Sequence, residues 1–349
     1  MTNAACPIPQ SRYSRIVLGH GSGGRLSQDL LEHVFLPAFS GETLARREDH
    51  ALLPAPTEPG ARLAFTTDAF VVSPLFFPGG DIGRLAVCGT VNDLCVGGAI
   101  PQFLSAAFVL EEGLLLEDLK RIVTSMAATC REAGVEVVAG DTKVVEKGKA
   151  DGVFITTSGV GVVPAGRELS ISGVRPGDAL LVSGPIGDHG VAILSVREGI
   201  DFETTLLSDC APLVSLTRAL LETSSDIRCM RDPTRGGLSG VLHDIAQRSG
   251  VGVLIDEALV PVRPEVRAAS EMLGLDPLYI ACEGRLVLAA APTIAERLLR
   301  AMRAHPLGQG AALIGHAVAE HPKMVRMRSR IGGERVVPML SGEQLPRIC

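Results

Sequence analysis

The sequence predicts a two-domain protein of mixed α/β (α+β) class, and three observations carry that expectation. Short apolar runs of strand length alternate with amphipathic stretches at helical spacing. The alternation falls into two series, parted by a break between Pro164 and Pro176, with Gly166, Gly173, Pro176 and Gly177. A length of 349 residues exceeds one typical domain and suits two. The expected division is an extension (1–15), a first domain (16–165), a second domain (166–322) and a flexible C-terminal tail (323–349).

In the first series, Leu30, Leu31, Val34 and Phe35 follow helical spacing over Ser27–Leu36, and Pro37 is expected to stop the run. Leu63–Thr67 reads as a strand ending at Asp68, and Ile82–Leu94 as a helix with Asp93 near its end. Leu119, Ile122, Val123 and Met126 mark an amphipathic helix over Leu116–Cys130, ended by Gly134. Val135–Ala139 is a buried strand running into a Gly140-Asp141-Thr142-Lys143 turn, and Val153–Thr157 is another strand. The second series has strands at Ala179–Val182, Val251–Ile255 and Arg285–Ala289. Its helices are expected at Gly190–Arg197, Ala211–Leu221, Leu238–Ser249 and Thr293–Met302. Met324, Val325 and Met327, then Val336 and Val337, alternate around Gly332-Gly333 as a hairpin does. Ser341–Cys349 has no periodicity, and nine extended residues reach about 30 Å.

Hydrophobic residues make up 46 % and aromatics only 3 %, with no Trp, so the cores must be aliphatic. A net charge of −6 argues against nucleic acid or an acidic membrane surface as partner. Neither a leader pattern nor a long uninterrupted apolar stretch is present, which points to a soluble, cytoplasmic protein. Eight cysteines are scattered without a C-x-x-C pair, against a disulfide framework or a zinc site. Cys88, Cys95 and Cys130 read as buried thiols. Cys349 stands apart: it closes Pro346-Arg347-Ile348-Cys349, where it can be modified, swing into a pocket and be presented to a partner.

His20-Gly21-Ser22-Gly23-Gly24-Arg25 leads into the first helix, as an anion-binding loop does or as a plain Gly-rich turn does. Asp49, Asp68, Asp93, Asp141 and Asp232 fall at expected strand ends or Gly-bounded turns, which suits an Mg–nucleotide site better than five separate caps. Lys143 is either a phosphate clamp or a solvated charge. Glu283, in Ala281-Cys282-Glu283-Gly284-Arg285 before an apolar strand, is either a raised-pKa base or a partner for Arg285.

Gly-His-Gly-Ser-Gly-Gly, Thr-Thr-Asp, Asn-Asp, Gly-Asp-Thr-Lys, Gly187-Asp188-His189-Gly190, Arg-Asp-Pro-Thr-Arg-Gly-Gly and the final Pro-Arg-Ile-Cys together closely resemble the HypE family of hydrogenase maturation factors. The resemblance runs from about Ile16 to Cys349; the internal motifs are shared with the wider superfamily of aminoimidazole ribonucleotide synthetase (PurM), selenide water dikinase and thiamine-monophosphate kinase. It implies a PurM-like fold whose N-terminal domains pair in a homodimer around a shared β-barrel-like core. It also implies an ATP-dependent carbamoyl dehydratase. The terminal thiol receives a carbamoyl group from a HypF-type carbamoyltransferase and dehydrates it to a thiocyanate. The cyano group then passes to a HypC–HypD complex, for the iron of [NiFe]-hydrogenase. On this resemblance ATP and Mg²⁺ are the cofactors. Cys349, Glu283 and Lys143 are the catalytic candidates; Gly21, Ser22, Gly23, Gly24, Asn92, Asp93, Asp141, Thr142, Lys143 and Arg235 would bind the nucleotide; Asp49, Asp68, Asp93 and Asp232 would hold the metal. Two alternatives stand beside it: another superfamily enzyme such as a selenide water dikinase, which leaves Cys349 unexplained, and a passive carrier whose tail is modified and handed on.

Overall fold

The computed structural model describes residues 13–22, 24–47, 50–199, 206–340, 345 and 347–349. Among them, no helix is long and apolar enough to cross a membrane.

The first half opens with helices α1 (Arg25–Leu30), α2 (Leu36–Phe39) and α3 (Glu42–Ala45). Pro37 was expected to end the first helical run, yet the run continues to Phe39. Proline removes the N–H and crowds the preceding turn. A π-helical stretch over Leu31–Phe35, in which the Leu36 N–H reaches back to the Leu31 carbonyl, absorbs that offset. Then follow β1 (Arg62–Phe70), the short pair β2 (Phe76–Phe77) and β3 (Gly80–Asp81), α4 (Ile82–Val96), β4 (Ile100–Glu111), α5 (Leu116–Ala133), β5 (Glu136–Val145) and β6 (Val153–Val163).

These form an open four-stranded sheet in the order β1-β6-β4-β5, with only β4 and β5 parallel. Among the described residues a single chain therefore closes no barrel. The helices α4 and α5 pack on one face, burying Leu85, Val91, Ile122 and Met126 with Leu104 and Ile155 of the sheet. On the other face Leu63 and Phe65 of β1 stand 61 % and 70 % exposed. Strand β4 was not anticipated. Pro101 interrupts it and the register slips between Pro101 and Phe103, which masks an otherwise regular alternation. Asp141 was expected in a turn and instead lies within β5, opposite Ala107.

The second half contributes β7 (Ala179–Val182), α6 (Asp188–Glu198), α7 (Val214–Thr223), β8 (Ile227–Arg231), α8 (Gly237–Ser249), β9 (Gly252–Asp256), α9 (Pro264–Leu273), β10 (Val287–Ala290), α10 (Pro292–Ala304), β11 (Ala312–Val318), β12 (Val325–Arg328) and β13 (Glu334–Val336). Seven strands form one sheet in the order β13-β12-β9-β11-β7-β10-β8. Both its faces are covered, which is why β7 reads as unbroken apolar residues. Leu180 and Val182 join the core beneath α8, while Ala179 and Leu181 point into the core beneath α7 and α10. The tail was expected to begin at 323. Because β12 pairs in parallel with β9, and β13 with β12, residues through Val336 belong to this sheet instead.

Helix α4 lies between the halves, and this placement builds the site. Adjacent residues on a helix point about 100° apart, so Asn92 turns into the seam between the halves while its neighbour Asp93 is exposed.

Candidate functional site

A cleft of about 1340 Å³ runs between the two halves. The strand β1 supplies Asp68, α4 supplies Asp93, and the segment after β8 supplies Asp232 and Arg235; Glu283 lines it from the loop before β10. The end of the chain enters the same cleft, where Leu345, Arg347, Ile348 and Cys349 form part of the wall.

The acids crowd one another. Burial, then the charge of Asp93, pushes Asp232 up to about 7. Asp68 is also raised, chiefly by burial and further by Asp93, while its own next amide at Ala69 and Arg235 oppose the rise. Asp93 accepts a hydrogen bond of 2.8 Å from the Thr66 hydroxyl. Among the described residues no three His, Cys, Asp or Glu side chains converge tightly enough to hold a metal alone. That fits a cation brought with a nucleotide, since Mg²⁺ takes one or two carboxylates and fills its octahedron with phosphate and water. Mutually repelling acids facing an open cleft are the donor set such a cation would relieve.

Glu283 is 2 % exposed, and its Oε1 has no hydrogen-bond partner. Burial first, then the nearby Cys210, Asp232, Asp209 and Asp68, holds its carboxyl well above the usual range. Its backbone is fixed at both ends. The Glu283 N–H donates to Asp209 Oδ1 at 3.0 Å, and the Glu283 carbonyl accepts from Asn92 Nδ2 at 3.2 Å.

Asn92, a nucleotide-binding candidate from the sequence, has its side chain engaged between the halves. Its amide also donates to the Ala211 carbonyl at 3.1 Å, and its Oδ1 accepts from the Leu213 N–H at 2.8 Å. With 1 % exposure and every donor used, it staples the halves together.

Four further candidates, Gly21, Asp141, Thr142 and Lys143, line a second, smaller cavity of about 280 Å³. Gly21 packs hard against β5: a Cβ there would lie 2.6 Å from the Val144 nitrogen, which explains the glycine by close approach. Ser22 turns its hydroxyl to the Gly19 carbonyl at 2.9 Å, and Gly24 caps α1. Lys143 pairs with Asp141 at 2.8 Å, both well exposed, and that pairing lowers the Asp141 pKa. Gly23 and Asp49 lie outside the described residues, as does Cys6. Cys88, Cys95, Cys130, Cys210, Cys229 and Cys282 are all buried thiols, and Cys349 is half-buried.

Sequence reasoning missed the polar group behind Glu283. Asp209 and Asp188 flank Arg285 at 3.4 and 3.5 Å, and Asp188 also binds Arg263 at 2.9 Å. Asp209 sits in an irregular stretch with no periodic signal; Asp188 and His189 were visible only as part of the Gly187–Gly190 motif.

Two domain families match: "AIR synthase related protein, N-terminal domain" over residues 47–163 and the C-terminal domain of the same name over 175–327. A carbamoyl dehydratase HypE of Cupriavidus necator is 56 % identical over 335 residues, covering 96 % of this chain and 95 % of that protein. The chain belongs to the HypE family. Among solved structures, a hydrogenase maturation protein HypE in complex with ATP superimposes with a TM-score of 0.91 at 46 % identity, covering 95 % of this chain and 99 % of that one. A HypE–HypF complex matches with a TM-score of 0.78 at 48 % identity, over 89 % of this chain and 99 % of that one. This HypE-family chain therefore combines the carbamoyl dehydratase fold with a cleft holding its acids and its terminal thiol together.

Proposed function

We propose that this chain dehydrates a carbamoyl group carried on the Cys349 thiol to a thiocyanate, at the expense of ATP. The observation that carries the reading is the shared cleft: Cys349, the buried base Glu283 and the acids Asp68, Asp93 and Asp232 line one volume. A carbamoyl oxygen is a poor leaving group. Bound ATP with Mg²⁺ supplies the phosphoryl group that turns it into phosphate. Asp93 and Asp232, with Asp68, would hold the cation, and Arg235 would face the phosphates. Glu283 accepts the amide protons as the nitrogen forms S–C≡N. Its burial favours that role, because an acid pushed upward is the stronger base once ionised. Atoms balance as thiocarbamate plus ATP giving thiocyanate, ADP and phosphate.

Leu63 and Phe65 on the uncovered sheet face support a two-fold homodimer. Such a pair would give Lys143 and the Gly21 loop, remote from the acids within one chain, a route to a partner's cleft. A HypF-type carbamoyltransferase would load the thiol, and a HypC–HypD complex would receive the cyano group in the cytoplasm. The test is mass spectrometry of the terminal peptide after incubation with the carbamoyltransferase. A carbamoyl mass on Cys349 that becomes a cyano mass only with ATP is the expected result. Conversion without nucleotide, or marks on Cys6 instead, overturns the reading.

A further inference from the structure

The Gly187-Asp188-His189-Gly190 motif takes no part in the chemistry proposed above, yet it meets the end of the chain. Gly187 adopts a left-handed φ of 86° and opens α6; a Cβ on it would sit 2.9 Å from Val266 Cγ1. Asp188 anchors that turn through Arg263. Next, His189 is fully buried, with Phe77 edge-on to its ring at 5.5 Å. Its Nε2 lies 2.6 Å from the Ile348 carbonyl and its Nδ1 2.8 Å from the Ser208 hydroxyl. Ser208 Oγ already accepts the Cys210 N–H at 3.1 Å, so its own proton goes to Nδ1. The neutral ring with its proton on Nε2 therefore satisfies both neighbours, and burial favours that neutral form. At Gly190 a Cβ would meet Ile280 Cγ2 at 2.4 Å and Leu345 Cδ1 at 3.2 Å, so the glycine leaves room for the tail.

The carbonyls of all three final residues accept hydrogen bonds from protein donors. Cys349 O takes the Val71 N–H at 3.3 Å. Arg347 O takes the Ser73 N–H at 3.1 Å and Arg197 Nη2, from the far end of α6, at 2.8 Å. Ile348 O takes His189. Residues 347–349 thus hang by their carbonyls on 71–73 and α6, with Arg347 turned at a left-handed φ of 56° and paired with Asp151, and Ile348 packed in the core.

We propose that the Gly187–Gly190 motif is a receptor for the backbone of residues 347–349, in which His189 is the positioning residue that fixes their register. Register matters because each residue of slip carries the thiol about 3.5 Å along the cleft. The proposal rests on Cys349 being the carrier.

The test is the rate at which iodoacetamide labels Cys349 in the full chain, read on the terminal peptide. Buried Cys95 and Cys130 report the integrity of the fold in the same digest. His189→Leu is expected to label about tenfold faster at Cys349 alone, a shift of about 1.4 kcal/mol and within reach of one buried hydrogen bond. His189→Gln, whose amide N–H reaches the same carbonyl, should restore the rate to within about twofold. Arg197→Gln, on the helix surface, should label about threefold faster and serves where the leucine variant does not fold. In single turnover, ATP-driven dehydration should slow with labelling across this series, while carbamoyl loading, which needs the tail outside, should not. Wild-type labelling in both His189→Leu and Arg197→Gln, a glutamine variant as fast as the leucine one, or faster labelling of Cys95 and Cys130 in step overturns the receptor. Failure of the carrier reading looks different: wild-type Cys349 would never take the carbamoyl group, whatever its labelling rate.

Discussion

Replacing Asp232 by Asn should stabilise the ligand-free protein at neutral and alkaline pH, and less at acid pH. Asp232 titrates near 7 because burial and Asp93 disfavour its charge. In the unfolded chain the same carboxyl titrates near 3.8. The folded state therefore binds more protons than the unfolded state between those values, and stability falls as pH rises across the window. Fully expressed, a shift of this size corresponds to about 4 kcal/mol. Asp232 borders an open cleft and keeps 9 % exposure, so water relieves part of the penalty and about 2 kcal/mol is the working expectation. Asparagine keeps the shape and removes the titration. Urea unfolding of both proteins without Mg²⁺ or nucleotide, at intervals from pH 4.5 to 8.5, measures the difference. The variant should lead by the smaller margin at pH 4.5, gain further toward neutrality and hold a constant advantage above about pH 7.5. Saturating Mg–ATP should erase that advantage by relieving the wild-type acids alone. A gain equal at pH 4.5 and 8.5, or none at 8.5, would refute the claim that repulsion among these acids is stored in the fold.

Glu283→Gln should accept the carbamoyl group normally and stall before thiocyanate, with a loss of at least about 100-fold in the ATP-dependent step; normal conversion places the base elsewhere. Asn92→Ala orphans the Leu213 N–H and the carbonyls of Ala211 and Glu283. At about 1–3 kcal/mol for each buried group left unpaired, denaturant titration should show a loss of about 3 kcal/mol or more, and a negligible loss would deny it the role of staple. Phe65→Asp should convert a particle twice the 36.6 kDa chain into a monomer by light scattering; an unchanged mass removes the β1 face from the interface.

Elements with one strong period were legible in sequence. The helix α5 announced itself through Leu119, Ile122, Val123 and Met126, and β7 through four consecutive apolar residues. Strand β4 was hidden because Pro101, Ser105 and paired alanines blur its alternation, although it is central to its sheet. The sequence also gave no warning of β8, α9 or β11, though Pro264 and Gly274 bracket α9 as start and stop signals do. The acids Asp68, Asp93 and Asp232 were recognisable one by one, and the cleft brings those three together. Asp141 and Lys143 look equivalent to them in sequence, yet β5 carries them to the other cavity. Asn92 and Asp93 show the limit most clearly: neighbouring polar residues of one motif serve different surfaces because a helix turns between them.

The end of the chain forms part of the wall of the cleft that the acids line. If nucleotide occupies that cleft as proposed, nucleotide and tail are thermodynamically linked, and the coupling is reciprocal. Whatever factor bound nucleotide applies to the balance between seated and released tail, the tail applies to nucleotide affinity. A partner that draws residues 347–349 outward would retune ATP binding without touching the ATP site. Loading and dehydration could then follow in order through mass action alone.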